Sequence, residues 1–172
     1  MRRIKFTIPG EPNVIIEATE TDDGSIRFDV VLSGALQGDL RGLFFDVDYD
    51  ETALLVSGDD VTGQDYTDVS NMGRGVNMKG GGRNGYDVGV SFGTAGIGED
   101  DINTTSFTLS SADGSPLTLD IIAHMEFGAR LTSVGVSNKR GGSEKLTVVA
   151  PAAPDASDDI AETQEDTPVT ID

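Results

Sequence analysis

No stretch of a dozen residues in this chain carries apolar side chains at i, i+3, i+4 and i+7, the spacing that gives a helix a face to bury. The apolar residues fall instead in short β-branched and alternating runs, each closed by Gly, Asp or Asn. Such a chain builds an interior by pairing its runs into sheets and stacking the sheets. The runs predict strands near Lys5–Ile8, Val14–Thr19, Ile26–Ser33, Leu40–Asp48, Ala53–Ser57, Asp87–Phe92, Thr105–Ser110, Leu117–Ala123, Ala129–Val134 and Lys145–Val149. Ten short strands with turn residues between them predict an all-β fold, an antiparallel β-sandwich or jelly roll. A chain of 172 residues can bury a sizeable core. A hydrophobic fraction of 37 % predicts that the domain is rich in loops.

One segment departs from this rhythm. From Gly58 to Gly85 the text GDDVTGQDYTDVSNMGRGVNMKGGGRNG has few apolar anchors. Loops of that length inside a domain are uncommon and usually carry function, so residues 58–85 are expected to present a binding surface. The plainer reading is a flexible excursion with a short strand near Tyr66–Val69. Its glycines do not form a phosphate loop, because the following YDVGVSF reads as a strand and no Lys-Ser or Lys-Thr step is present. Arg74, Lys79 and Arg83 make a basic patch here, expected to pair with neighbouring aspartates or to meet an anionic polysaccharide.

Thirty acidic residues against twelve basic ones give a formal net charge of -18. That charge argues against nucleic acid and anionic membranes as partners, since phosphate binding needs clustered Lys and Arg. Disorder, salt adaptation and a need for divalent-cation ligands are its ordinary causes. Calcium takes six to eight oxygen ligands, which carboxylate-rich turns supply. The first candidate site is the turn Asp46, Asp48, Asp50 and Glu51, whose aspartates would share one face of a continuing strand. The second is Glu99, Asp100 and Asp101, and a looser set holds Asp59 and Asp60 with Asp65 and Asp68. Each also reads as a solvated turn or a charged sheet edge.

Zero cysteines exclude disulfides, thiolate zinc sites and a cysteine nucleophile. No serine lies in a nucleophile-elbow context, and the sole histidine, His124, ends an apolar run where a structural or exposed role is the simpler one. With no Trp and three Tyr, an aromatic platform for sugar stacking is poorly supplied. These absences favour a non-enzymatic domain.

Composition changes sharply after Val149. Residues 150–172 hold seven acidic residues, no basic ones and three of the six prolines. Residues 1–149 therefore read as the β-sandwich module, 150–157 as a linker, and 158–172 as the start of another unit. The amino-terminal MRRIKFTIPG lacks the apolar run of a signal peptide, and no stretch approaches the roughly 20 apolar residues of a membrane span. No membrane insertion is expected.

The tail DASDDIAETQEDTPVTID resembles the opening of a bacterial cadherin-like, VCBS-type repeat, with Asp158 and Asp159, Thr163, and Glu165, Asp166, Thr167 and Pro168 before a first strand. GDLRGLFFDV at 38–47, YDVGVSFGTAGIGEDDINTTSFTLS at 86–110, and FGARLTSVG with SEKLTVV in 127–149 resemble a module of large bacterial repeats-in-toxin calcium-binding surface proteins. FDVDYDETALLV is similar to the strand-turn-strand of cohesin-like and carbohydrate-binding sandwiches. These resemblances imply a module of a large bacterial adhesin: extracellular or on the cell surface, exported by type I secretion without a cleaved signal peptide, and joined to adjacent repeats. They imply calcium as the stabilising ion, with interdomain ligands at Asp158, Asp159, Glu165 and Asp166. A calcium-dependent lectin-like domain for polysaccharide is the alternative, and a polysaccharide-acting enzyme domain the third reading.

Overall fold

In a computed structural model of the chain, described at residues 1–80, 85–95 and 100–155, ten strands form two five-stranded antiparallel sheets. They are β1 (Arg3–Ile8), β2 (Asn13–Glu20), β3 (Ile26–Ser33), β4 (Gln37–Phe45), β5 (Leu54–Ser57), β6 (Val61–Val69), β7 (Tyr86–Phe92), β8 (Thr104–Ser111), β9 (Glu126–Val136) and β10 (Lys139–Val149). One sheet runs β1-β2-β3-β8-β5 and the other β10-β9-β4-β7-β6. Among the described residues, no helix is long and apolar enough to cross a membrane.

The first sheet follows the period of two that its sequence predicts. In RIKFTI, Ile4, Phe6 and Ile8 point inward while Arg3, Lys5 and Thr7 stay in solvent. Register stacks these side chains: Phe6 opposes Ile16, Ile16 opposes Val30, and Phe28 opposes Phe107. The facing sheet contributes Leu43, Phe45, Val88, Val90, Phe127 and Ala129 to the same core. Its centre is aromatic: Phe28 stacks on Phe107 at 4.7 Å, Phe45 on Phe127 at 5.1 Å, and Phe6 meets Phe127 edge-on at 5.0 Å. Such pairs add roughly 0.5–1.5 kcal/mol each beyond the area they bury.

The predicted strand at Leu117–Ala123 is not one. Leu117, Leu119, Ile121 and Ile122 are buried, but two consecutive inward side chains cannot share one face of a strand. The segment forms a 3₁₀ turn at Leu119–Ile121 instead. Leu119 N–H donates to the Glu20 carboxylate at 2.9 Å, and Arg2 binds both Glu20 and Asp120. Conversely, β6 occupies much of the span expected as loop. Residues 150–155 lie against the sandwich: Ala150 is buried, its N–H donates to Met125 O at 2.8 Å, and Pro154 O accepts from Arg2 at 3.3 Å.

In β4 alternation is lost, with every residue from Gly38 to Phe45 buried. The reason is a cover. Residues 70–78 double back as a small hairpin, with Met72 N–H to Val76 O at 2.8 Å and Met78 N–H to Ser70 O at 2.9 Å. This hairpin closes over the outer face of the second sheet, where Phe44, Val69, Val76, Met78 and Tyr86 form a separate cluster with Met72 at its margin. Glycine makes the close approach possible. Phe44 is flanked in register by Gly89 on β7 and Gly128 on β9. A Cβ at Gly128 would lie 2.8 Å from the Met78 methyl, and one at Gly89 2.9 Å from the Met72 sulfur.

Candidate functional site

Beside this hairpin the sheet opens into a cleft of about 560 Å³. Arg41 lies in its wall with Ser91 and Gly93 of the β7 end; β6 contributes Thr62, Gly63, Gln64 and Asp65. The hairpin supplies Met72, Gly73, Arg74 and Val76, and Thr94 completes the lining.

Two β-bulges shape it. Along β4 and β9, Leu40 opposes Leu131 and Gly42 opposes Arg130, so Arg41 is the extra residue. Along β6 and β7, Val61 opposes Phe92 and Gly63 opposes Ser91, so Thr62 is the extra residue. A bulge re-aims a side chain without breaking the sheet, and bulges recur beside functional sites. Here both bulged residues line one cleft. Arg41 is 3 % exposed and donates from Nη1 to Phe92 O. Thr62 Oγ1 donates to Gly93 O at 3.0 Å and lies 3.3 Å from Ser91 Oγ. Gln64 Oε1 accepts from Val56 N–H at 2.9 Å and from Tyr66 Oη–H at 2.7 Å, which fastens β6 to the edge of β5.

At the hairpin tip, Arg74 takes φ +52 between Gly73 at +85 and Gly75 at +83. A side chain in that left-handed region carries backbone strain, and such strain concentrates at functional sites. Arg74 is exposed, and neither it, Lys79 nor Arg41 takes part in an ion pair among the described residues. The expected pairing of this basic patch with neighbouring aspartates is thus absent for Arg74 and Lys79; Arg83 lies outside the described residues.

The predicted cation ligands are dispersed. β4 ends at Phe45, so Asp46, Asp48 and Asp50 share no strand face. Asp46 is buried and accepts from Asp87 N–H at 3.2 Å, while Asp87 accepts from Val47 N–H at 3.0 Å. Asp48 is exposed. Asp50 caps the 3₁₀ turn Glu51–Ala53 through Thr52 N–H and Oγ1–H, at 3.1 and 2.6 Å. Glu51 accepts from Thr67 Oγ1–H at 3.0 Å. Asp59 is exposed, and Asp60 accepts from Thr105 Oγ1–H at 2.8 Å. Asp100 accepts from Thr94 N–H at 3.0 Å and Thr94 Oγ1–H at 2.8 Å; these bonds to backbone and side chain hold its carboxyl below the ordinary range. Asp101 pairs with Arg140. Glu99 and the tail carboxylates lie outside the described residues. Among the described residues, no three Asp, Glu, His or Cys side chains gather as a cation site. His124 is exposed, with φ +61.

Sequence reasoning missed Asp39. It is fully buried on β4, with Oδ1 accepting from Ile102 N–H at 3.0 Å and Oδ2 without a partner. Burial pushes its carboxyl up to about 6, against the Ile102 hydrogen bond and Arg41, which pull it down; Asp101 and Asp100 add to the rise. The signal for both Asp39 and Arg41 was in the text GDLRGLFF: two charged residues leading into the apolar run LFF at 43–45.

No protein-family model, curated protein or solved structure matches this chain. Fold and site together define an antiparallel β-sandwich domain with a cleft of mixed polar and apolar lining beside a hairpin that covers the outer face of one sheet.

Proposed function

We propose that this domain is a non-enzymatic recognition module of a larger extracellular bacterial protein, and that it binds saccharide in the cleft beside the 70–78 hairpin. The observation that carries the reading is the convergence of two bulged residues, Arg41 and Thr62, on one cleft. The span 58–85, expected from sequence to present a binding surface, contributes residues 62–65, 72–74 and 76 to the lining.

The lining suits a hydroxylated ligand. Hydroxyls of Thr62, Ser91 and Thr94 and the Gln64 carboxamide offer paired donors and acceptors, while Met72 and Val76 supply a narrow apolar wall. No aromatic ring lines it among the described residues, so recognition rests on hydrogen bonds and charge. Among the described residues, Asp65 is the one carboxylate in the lining, and these residues offer no acid-base pair for glycoside cleavage. The adhesin context rests on the resemblances of the body and tail. Calcium enters as a cation for carboxylates outside the cleft, which a net charge of -18 favours.

A glycan array probed with the full chain, in calcium and in chelator, tests the proposal. Saccharide binding is expected, and Ser91→Tyr, which fills the cleft from β7, should abolish it while leaving the circular dichroism spectrum intact. Binding that survives Ser91→Tyr, or no binding to any glycan, contradicts the reading. Dependence on calcium would move the cation into the cleft.

A further inference from the structure

We infer that the saccharide recognised by this cleft is acidic, with its carboxylate held between Arg41 and Arg74. The inference rests on the cleft being the saccharide site, and it adds the charge of the ligand.

Among the described residues, four of the other arginines are neutralised by carboxylates, while Arg130 donates to the Gly75 carbonyl instead. Arg2, Arg3, Arg27 and Arg140 each pair with a carboxylate among the described residues. Arg41 and Arg74 form no such pair among the described residues, and both line one cleft. A buried guanidinium retains its charge, and it is costly to hold at 3 % exposure unless an anion or several acceptors compensate it. Arg41 has the Phe92 carbonyl, and Asp39 and Asp100 act on it only through space. Its planar fork presents further N–H groups, the geometry that suits a carboxylate.

Arg74 supplies the second half. The hairpin tip holds it at a backbone angle that glycine would adopt without strain, and glycine flanks it on both sides. Arg74 thereby adds a second guanidinium to the lining of the cleft that holds Arg41. Among the described residues, the other charged group lining the cleft, Asp65, accepts from Tyr66 N–H at 2.9 Å and lies on β6. The net charge of -18 repels an acidic ligand at long range, but physiological salt screens exposed charges beyond about 8 Å, so contact with the guanidiniums decides. A peptide carboxylate is disfavoured, because the wall provides hydroxyls, glycines and an amide where a peptide side chain needs apolar pockets.

Calorimetry on the full chain tests this with trisaccharides of galacturonate, mannuronate and guluronate, each beside its methyl ester, which keeps the hydroxyls and loses the charge. At least one acid should bind tenfold or more tightly than its ester. Arg74→Gly should lose about tenfold for the acid, lose markedly less for the ester and raise the melting temperature, since glycine accepts the tip conformation. Arg41→Gln should act the same way on binding; Arg74→Gly carries the test if that variant does not fold. Acid and ester binding equally would overturn the carboxylate claim while leaving the saccharide site standing. Binding of neither acids nor neutral sugars would overturn both. Tighter binding of a glutamate-rich peptide to the same cleft would overturn the saccharide class.

Discussion

The two sheets of this sandwich treat their outer faces differently. In β1-β2-β3, each strand buries every second residue and gives the others to water. In the centre of the second sheet, β4 buries both faces, and Phe44, outward by its place in the strand, belongs to a second cluster under the 70–78 hairpin. Loss of alternation in an antiparallel strand means that something covers it. The cover here is also one wall of the cleft, so the energetics of the outer cluster and the geometry of the site are one problem.

The sharpest contrast is between cores. Phe127→Ala removes a ring that touches Phe6, Phe28 and Phe45 between the sheets, and should cost about 3–5 kcal/mol in denaturant unfolding with all probes moving together. Gly128→Val tests the outer face. Its side chain would collide with Met78 and Tyr86, costing about 1–3 kcal/mol. Hydrogen exchange should then rise in residues 70–78 while β1 to β3 keep their protection, and saccharide binding should fall. Uniform loss of protection would show that hairpin and sheet are not separable.

Asp39 sharpens the comparison through pH. Its folded value of about 6 exceeds the ordinary 3.8, so the native state holds more protons than the unfolded chain between those values. Its contribution to stability is therefore full below about 4 and is lost as pH rises through 6. Asp39→Asn keeps an acceptor for Ile102 N–H and removes the charge. The difference in unfolding free energy between wild type and variant should change by about 2–3 kcal/mol between pH 8 and pH 4, in favour of wild type at low pH. A flat difference would show that the buried carboxyl does not titrate in this window.

Much of the sandwich was legible because period-two burial leaves a direct trace: VIIEA and IRFDV announce which residues face inward. β6 left no such trace. It is an edge strand with bulges at Thr62 and again near Thr67 and Asp68, both at positive φ, so its VTGQDYTDV has no regular period. Leu117–Ile121 misled for the opposite reason, since a plug at the sandwich end can space its apolar residues by two. For the candidate cleft, the span 58–85 stood out in the sequence, but the residues that line it did not. Acidic residues dominate the text and drew attention to Asp46, Asp50 and Asp100, which the fold spends on a strand clasp, a turn cap and a loop closure. That Arg41 is a bulged residue becomes visible only through register, because a bulge depends on counting residues in two strands at once.

Amide chemical-shift mapping of the full chain during titration with an acidic trisaccharide tests the central claim most directly. The account predicts saturable shifts at Gly63, Gly73, Ser91, Gly93 and Thr94, with the strands of the first sheet unmoved. Shifts confined to Asp48, Asp50 and Glu51, or to the exposed face of β1 to β3, would contradict it.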